Sequence, residues 1–502
     1  MKKVNCATYE GIDAKVVEVE STLTKGLPSF SIVGMASTAI TEAKERVKSA
    51  LLSNGFSFPP KRITINLAPS DVKKEGSQFD LSIALMIALD DLEDSLDGWF
   101  VFGELGLDGS VKENMQLYPL MLSLANQQQI TKVIVPHSSL SKLSKIPNIE
   151  LYGVKSLQEA IDLLRTQESV SPTLGFNAIN YPSYEIQNAT YFYTKEYTDD
   201  FTDVKGQEVA KRAAIIAAAG FHNILLEGSP GCGKSMIAKR LRYILPPMKN
   251  EEILDVAKLQ ALEFKEPEFK PHRTFRAPHH SSTQASIFGG GSHKARIGEV
   301  GLAHRGVLFF DELPHFSKHV LEALREPMQD NKIQISRVNS KVEYPADFLF
   351  IGAMNPCPCG NLLDEAKECR CNELEIQRYK NRLSDPFLDR VDLNVCMQNV
   401  TSHDKSSYTS KEMHKMVLEA HIFSKERGQV DFNAKLSDSD IELYCILDKD
   451  AKEVLDMAIE RFSLSFRSIK KVQKVARTIA DLDAKKCIEK KHILEALSYR
   501  RR

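Results

Sequence analysis

The sequence predicts an α/β fold: a core of buried strands, a helical segment behind it and a second α/β domain in front. Three stretches carry this prediction. The apolar run Ile224-Leu225-Leu226 enters the loop Gly228-Ser229-Pro230-Gly231-Cys232-Gly233-Lys234-Ser235, which leads into a helix-like segment from Met236 to Leu241. Strand, glycine loop and helix in that order form the context in which a phosphate-loop pattern carries meaning. The second stretch, Gly306 to Glu312, is an apolar run closed by Asp311-Glu312, and the third, Phe348 to Met354, is followed by Asn355. In open α/β sheets ligands gather at the carboxyl ends of strands, so three strand ends converge on one site.

The loop has the chemistry of a phosphate cradle. Its glycines let successive backbone N–H groups turn inward around a phosphate chain, and the following helix N-terminus adds a favourable dipole. Lys234 is placed to reach the β- and γ-phosphates and Ser235 to ligate Mg²⁺, with Cys232 a small residue accommodated between them. Binding of ATP or GTP follows. Asp311 is assigned to the Mg²⁺ shell and Glu312 to polarising the attacking water. An Asp-Glu pair alone is usually a solvated turn, but an apolar strand precedes this one. Asn355 is a polar side chain suited to orienting that water near the γ-phosphate.

Composition sets the bounds. A chain of 502 residues predicts two to four domains at ~150 residues each, and 42% hydrophobic content suffices for ordinary cores. The 66 Lys and Arg balance 67 Asp and Glu to a net charge of −1, which excludes a bulk polycation. From Arg461 to Arg502 thirteen basic residues face four acidic ones, either solvated helix faces with a charged tail or a binding surface. Met1-Lys2-Lys3-Val4-Asn5 does not open a signal peptide, and no apolar run approaches the ~18 residues of a membrane span. Nine cysteines without a secretory signal read as reduced thiols, so a cytoplasmic location is expected.

The pattern divides the chain into residues 1–165, a linker or extended wrap at 166–200, a nucleotide-binding core at 201–399 and a helical segment at 400–502. In the first part Ile63, Ile65 and Leu67 alternate with Thr64 and Asn66 as in a half-buried strand, and Leu81 to Leu92 reads as a helix. A helix with Val209, Ala213 and Ile216 on its apolar side opens the core. In the last part Ile469, Val472, Ala476 and Ile479 share one helix face.

Cys357-Pro358-Cys359 and Cys369-Arg370-Cys371 directly follow Asn355. Four thiolates suit a tetrahedral structural Zn²⁺ that would staple this loop, although the one-residue gaps are tighter than the usual two. Four reduced loop cysteines are the alternative.

Spaced motifs identify a family. Phe275-Arg276-Ala277-Pro278-His279-His280, Gly289-Gly290-Gly291, Gly306 to Pro314, Met354 to Gly360 and Asp385-Pro386-Phe387-Leu388-Asp389-Arg390-Val391-Asp392 resemble the magnesium-chelatase-like AAA+ ATPases, and within them the bacterial YifB/ComM group. Gly26 to Gly34, Asn66 to Pro69 and Phe79 to Leu81 extend the resemblance through the amino-terminal part. It implies a AAA+ P-loop NTPase core with a small helical lid, ATP and Mg²⁺ as ligands, and a homo-hexameric ring as the assembly. ComM-like members are DNA helicases that promote branch migration during uptake of transforming DNA, which makes single-stranded or branched DNA the expected partner.

The resemblance also places two arginines. Arg390 matches the arginine finger that enters the neighbouring subunit's site, with Arg382 as a nearby competitor, and Arg467 in Ser465-Phe466-Arg467-Ser468 matches the second sensor on the lid. A finger acting in trans needs a head-to-tail interface, and one that closes makes a ring. Ile333 to Ser336 and Lys341 to Tyr344 read as paired strands at the position of the hairpin that precedes the first sensor in related ring helicases. Arg337 and Lys341 near its tip are candidates for DNA phosphate contacts, with a solvated loop as the alternative. The basic, glycine-rich stretch Ser286 to Arg296, with His293 and Lys294, resembles a pore-facing family insertion, which His279 and His280 would brace.

The amino-terminal pattern resembles the Lon-protease fold, with Lys74-Glu75-Gly76-Ser77-Gln78 where that family carries its nucleophilic serine. Gln78 occupies the nucleophile position, Ser77 is one place early, and the family's lysine is not evident in Asp108 to Leu124. A serine needs a base within reach, so a non-proteolytic domain, a DNA- or partner-binding collar, is expected. Two other function classes stay open: a remodeller of protein complexes like the magnesium-chelatase motor subunit, and an ATP-dependent protease.

Overall fold

The computed structural model of the chain describes residues 2–92, 96–166, 171–174, 179–290, 296–336, 341–364, 367–399 and 404–500, without the side chains of 38, 39, 336 and 341. Two compact units form. One comprises Met1–Asn180, Ala257–Phe269 and Arg337–Val342, the other Tyr181–Val256, Lys270–Ser336 and Glu343–Arg502.

The first unit is built on an eight-stranded mixed sheet in the order Thr173–Leu174, Glu150–Val154, Lys132–Pro136, Trp99–Val101, Lys3–Glu10, Asp13–Thr24, Arg62–Ala68 and Ser29–Val33. The period-two alternation puts Ile63, Ile65 and Leu67 wholly inside. The helix expected from Leu81 to Leu92 runs Asp80–Ala88. It starts on a buried carboxylate, Asp80, which Arg46 clasps through Nε at 2.7 Å and Nη2 at 3.0 Å.

In the second unit, five strands make an all-parallel sheet: β1 (Ile224–Gly228), β2 (Phe275–Arg276), β3 (Val307–Phe310), β4 (Leu349–Met354) and β5 (Leu393–Met397). They lie in the order β2-β3-β4-β1-β5. Both faces are covered, which is why β3 and β4 read as unbroken apolar runs and are buried throughout. The helix Glu208–Gly220 buries Ala213 and Ile216, but Val209 is 61% exposed. The buried stripe begins one residue later, at Ala210, because Val209 lies in the first turn, beyond the core's edge.

The segment expected as linker or wrap is a folded part of this unit from Tyr181 onward. Ser183–Ile186 pairs with Ala189–Phe192, which pairs in turn with Met248–Lys249. Its tyrosines fasten it to the helix Ser410–Glu426: the Tyr184 hydroxyl meets His421 Nδ1 at 2.8 Å, and the Tyr197 hydroxyl meets His414 Nδ1 at 2.9 Å. Burial lowers the His414 pKa to about 4, so the ring is neutral near pH 7 and can accept a hydrogen bond from the phenol. The remaining C-terminal helices are Asp438–Tyr444, Lys449–Phe462, Phe466–Leu482 and Lys490–Ser498. Val472, Ala476 and Ile479 enter one apolar core with Ala213, Ile216, Ile224 and Leu393, and Ile469 packs at its margin.

Candidate nucleotide-binding site

The phosphate loop turns through two glycines in the left-handed region, Gly231 at φ +83° and Gly233 at φ +98°, and delivers Lys234 to the start of the helix Lys234–Leu241. Gly228 is required by close approach, since a Cβ there would lie 2.7 Å from the Cys232 sulfur. Cys232 is accordingly a buried packing residue. The Lys234 ammonium is folded back on its own loop, donating to the carbonyls of Gly228 at 2.6 Å and Ser229 at 3.0 Å and to Asn355 Oδ1 at 3.1 Å. Burial lowers its pKa below the ordinary 10.5. An anion would compete for those same protons.

Strand ends bring the other candidates to the loop. Asp311 follows β3, and its Oδ2 accepts the Ser235 hydroxyl at 2.7 Å, so the two proposed Mg²⁺ ligands already face each other. Glu312 sits at φ +51°, a left-handed conformation that non-glycine residues seldom adopt, with its carboxylate exposed. His280 Nδ1 lies 3.4 Å from Glu312 Oε2. The histidine expected to brace the insertion therefore faces the candidate water-polarising carboxylate. Gln207, also left-handed at φ +59°, ties the loop to the end of β5 by donating to the carbonyls of Cys232 at 3.0 Å and Gln398 at 2.5 Å. No motif pointed to Gln207.

Arg390 and Arg467 meet each other, not the loop of their own chain. Arg390 donates to Arg325 O at 3.0 Å, Pro386 O at 2.5 Å and Gln329 Oε1 at 2.7 Å, and Arg467 donates to the same Gln329 oxygen at 3.1 Å. Among the described residues neither has a carboxylate partner. Burial, then the charges of Arg467 and Arg325, lower the Arg390 pKa, and the carboxylates of Asp389 and Asp330 only partly offset them. The competitor Arg382 lies elsewhere, donating to Pro314 O at 3.2 Å just beyond Glu312.

One buried side chain joins these parts. Asn223, immediately before β1, accepts the Phe350 N–H of β4 at 2.9 Å and donates to the Arg390 carbonyl at 2.8 Å. The signal that could have found it is a polar residue directly ahead of a buried strand.

The four loop cysteines converge. Their sulfurs all lie within 4.8 Å of one another, with Cys357–Cys359 at 3.4 Å and Cys369 3.7 Å from each. Thiolates bound tetrahedrally at ~2.3 Å from zinc would stand about 3.8 Å apart, so the donor set fits that ion. Backbone N–H groups of Asn361 and Arg370 pull the Cys359 thiol down to about 6.

The pore candidates fall largely outside the described residues. Lys332–Ser336 and Lys341–Pro345 do pair as a two-stranded sheet, but Arg337 and the Lys341 side chain are not described. In the insertion, Gln284–Phe288 is a short helix and Gly289–Gly290 pairs with Arg296–Ile297, while His293 and Lys294 lie outside the described residues. In the first unit the Ser77 hydroxyl donates to Glu104, and Gln78 donates to the carbonyls of Ala7 and Glu75. Lys112, the single lysine in 108–124, stands opposite Glu104 across a short strand pair. Lys74 donates to the Pro69 carbonyl. Among the described residues no lysine ammonium bonds Ser77.

Comparison with known families matches residues 200–405 to "Magnesium chelatase, subunit ChlI", 19–139 to "Subunit ChlI of Mg-chelatase" and 407–500 to "Magnesium chelatase, subunit ChlI C-terminal". The chain is 38% identical to "Competence protein ComM" of Haemophilus influenzae over 98% of its own length and 95% of the relative's. It is 38% identical to "Uncharacterized protein YifB" of Salmonella typhimurium and 36% identical to that of Escherichia coli, with the same coverage. A shorter similarity, 25% over 30% of this chain and 27% of the relative, reaches the "Magnesium-chelatase 67 kDa subunit" of Heliobacterium mobile.

Proposed function

The chain belongs to the magnesium-chelatase-like ComM/YifB family, and from that premise we propose that it is an ATP-driven, ring-forming AAA+ motor acting on DNA as a ComM-type helicase and branch-migration factor. The observation that carries the reading is the separation of two half-sites on one chain. One half comprises Lys234, Ser235, Asp311, Glu312 and Asn355, and the other is the arginine pair on Gln329, which among the described residues makes no ion pair with a carboxylate. Two copies packed head to tail would supply each half with the other, and closure of that contact gives a ring.

In each composite site the loop N–H groups and Lys234 bind the phosphates, Ser235 and Asp311 hold Mg²⁺, and Glu312 and Asn355 orient the attacking water. Mg²⁺ held there would neutralise charge on the nucleotide's phosphates. Arg390, with Arg467 beside it, meets the charge that develops on the γ-phosphoryl group of the neighbour's nucleotide. His280 Nδ1 stands 3.4 Å from the Glu312 carboxylate. ATP turnover then moves the hairpin Lys332–Ser336/Lys341–Pro345, whose Arg337 and Lys341 contact DNA phosphates. No described helix is long and apolar enough to cross a membrane, and the proposed setting is the cytoplasm.

A second reading, remodelling of a protein complex, is favoured by the three matches to magnesium-chelatase subunit models. A proteolytic reading draws no support from Ser77, whose hydroxyl partner is a carboxylate.

The test is strand displacement on forked and four-way DNA with and without ATP, repeated with Arg337→Ala plus Lys341→Ala. The expected result is ATP-dependent unwinding that the double variant loses while its basal ATPase persists. Absence of both unwinding and DNA-stimulated ATPase in the unaltered protein sinks the DNA reading and leaves the remodelling one.

A further inference from the structure

The four-cysteine cluster lies against the phosphate loop. Gly360, one residue past Cys359, is at φ +83°, and a Cβ built on it would sit 2.6 Å from Pro230 Cδ and 2.7 Å from Pro230 Cγ. The cysteine loop and the phosphate loop therefore touch backbone to ring, with no side chain between them. The same stretch starts at Asn355, whose side chain holds Lys234 at 3.1 Å. On its far side the helix Glu373–Lys380 begins two residues after Cys371, and Lys380 Nζ reaches Glu227 Oε1 in β1 at 3.1 Å. Tyr379 from that helix is buried, with the Asn355 backbone beside its hydroxyl. The segment from Asn355 to Lys380 thus begins and ends on the nucleotide site, and between those ends the four cysteines are the candidate metal clamp among the described residues.

We infer that a zinc ion held by Cys357, Cys359, Cys369 and Cys371 sets the position of the phosphate loop, so that nucleotide affinity is under the control of the metal. The inference rests on the reading of residues 228–235 as a nucleotide site. The physical link is steric: the closed knuckle presents the Gly360 backbone to Pro230 and fixes the carboxyl end of β4, where Asn355 restrains Lys234. With the metal gone, like-charged thiolates repel or take up protons, the knuckle opens, and Pro230 and Asn355 lose their support together.

Three full-length proteins test it: the unaltered chain, Cys369→Ser with Cys371→Ser, and Gly360→Ala. Metal content, affinity for a fluorescent ATP analogue and amide hydrogen exchange of residues 228–235 are measured on each. The expected outcome is about one zinc per chain in the unaltered protein. The cysteine variant should lose the zinc, bind the analogue at least ~10-fold more weakly, an equilibrium change of about 1.4 kcal/mol, and exchange faster in the loop. Gly360→Ala should keep its zinc yet show weakened binding, which separates the steric contact from metal loss and from misfolding. Zinc-free protein with unchanged affinity and loop exchange overturns the coupling. Absence of zinc after purification without chelators, or the visible absorption of an iron–sulfur cluster, overturns the metal. If the unaltered protein holds zinc but binds no nucleotide, the nucleotide reading falls, and loop exchange on zinc removal still decides the coupling.

Discussion

Asn223→Ala isolates the connection between the strand that carries the phosphate loop and the loop that presents Arg390. The side chain is 8% exposed and makes two bonds, from the Phe350 N–H at 2.9 Å and to the Arg390 carbonyl at 2.8 Å. Its backbone bonds with Asp392 and Leu393 survive the substitution, so the ends of β1 and β5 stay paired. Truncation leaves one buried donor and one acceptor short of a partner. At ~1–3 kcal/mol for each buried group left unpaired, the local cost is about 2–6 kcal/mol, a large share of a domain's ~5–15 kcal/mol. The single tryptophan, Trp99, lies in the other unit, so fluorescence would report the wrong place. Hydrogen exchange of residues 224–228 and 349–354 reads the right one and should accelerate. Turnover should fall with nucleotide affinity nearly kept, because the phosphate loop lies at the opposite end of β1 from Asn223. Mixed assemblies with Glu312→Gln protein should regain turnover, since the disturbed arginine serves the neighbour's site. Unchanged exchange in both strands together with full turnover refutes the reasoning.

Two further outcomes follow from the same composite site. Lys234→Ala should weaken nucleotide binding, whereas Glu312→Gln should bind normally and not turn over, because only the first removes a phosphate contact; equal affinity losses measured by titration contradict the assignment. Arg390→Ala should bind nucleotide normally and hydrolyse it on the order of 10³-fold more slowly, the scale of an arginine finger. Recovery of its turnover on mixing with Glu312→Gln tests action in trans, and no recovery in demonstrably mixed rings counts against it.

The local devices can be read from short stretches of residues. Glycines at 228, 231 and 233, an apolar run ahead of Asp311-Glu312 and another ahead of Asn355 each encode a strand end with its polar residue, because strand burial and glycine conformations are properties of a few neighbouring residues. The alternation at Ile63, Ile65 and Leu67 was legible for the same reason. Helix limits were less so: Val209 satisfies the helical period yet is exposed, since the period does not say where the core ends. Tertiary structure decided what lies far apart in sequence. It folded the tyrosine-rich stretch after Tyr181 onto His414 and His421, which looked like linker because its partners are more than two hundred residues away. It brought His280 to Glu312, Arg467 to Arg390 through Gln329, and Gly360 against Pro230. Such pairings depend on the path of the whole chain through the sheet order β2-β3-β4-β1-β5, and no short window of residues contains that path.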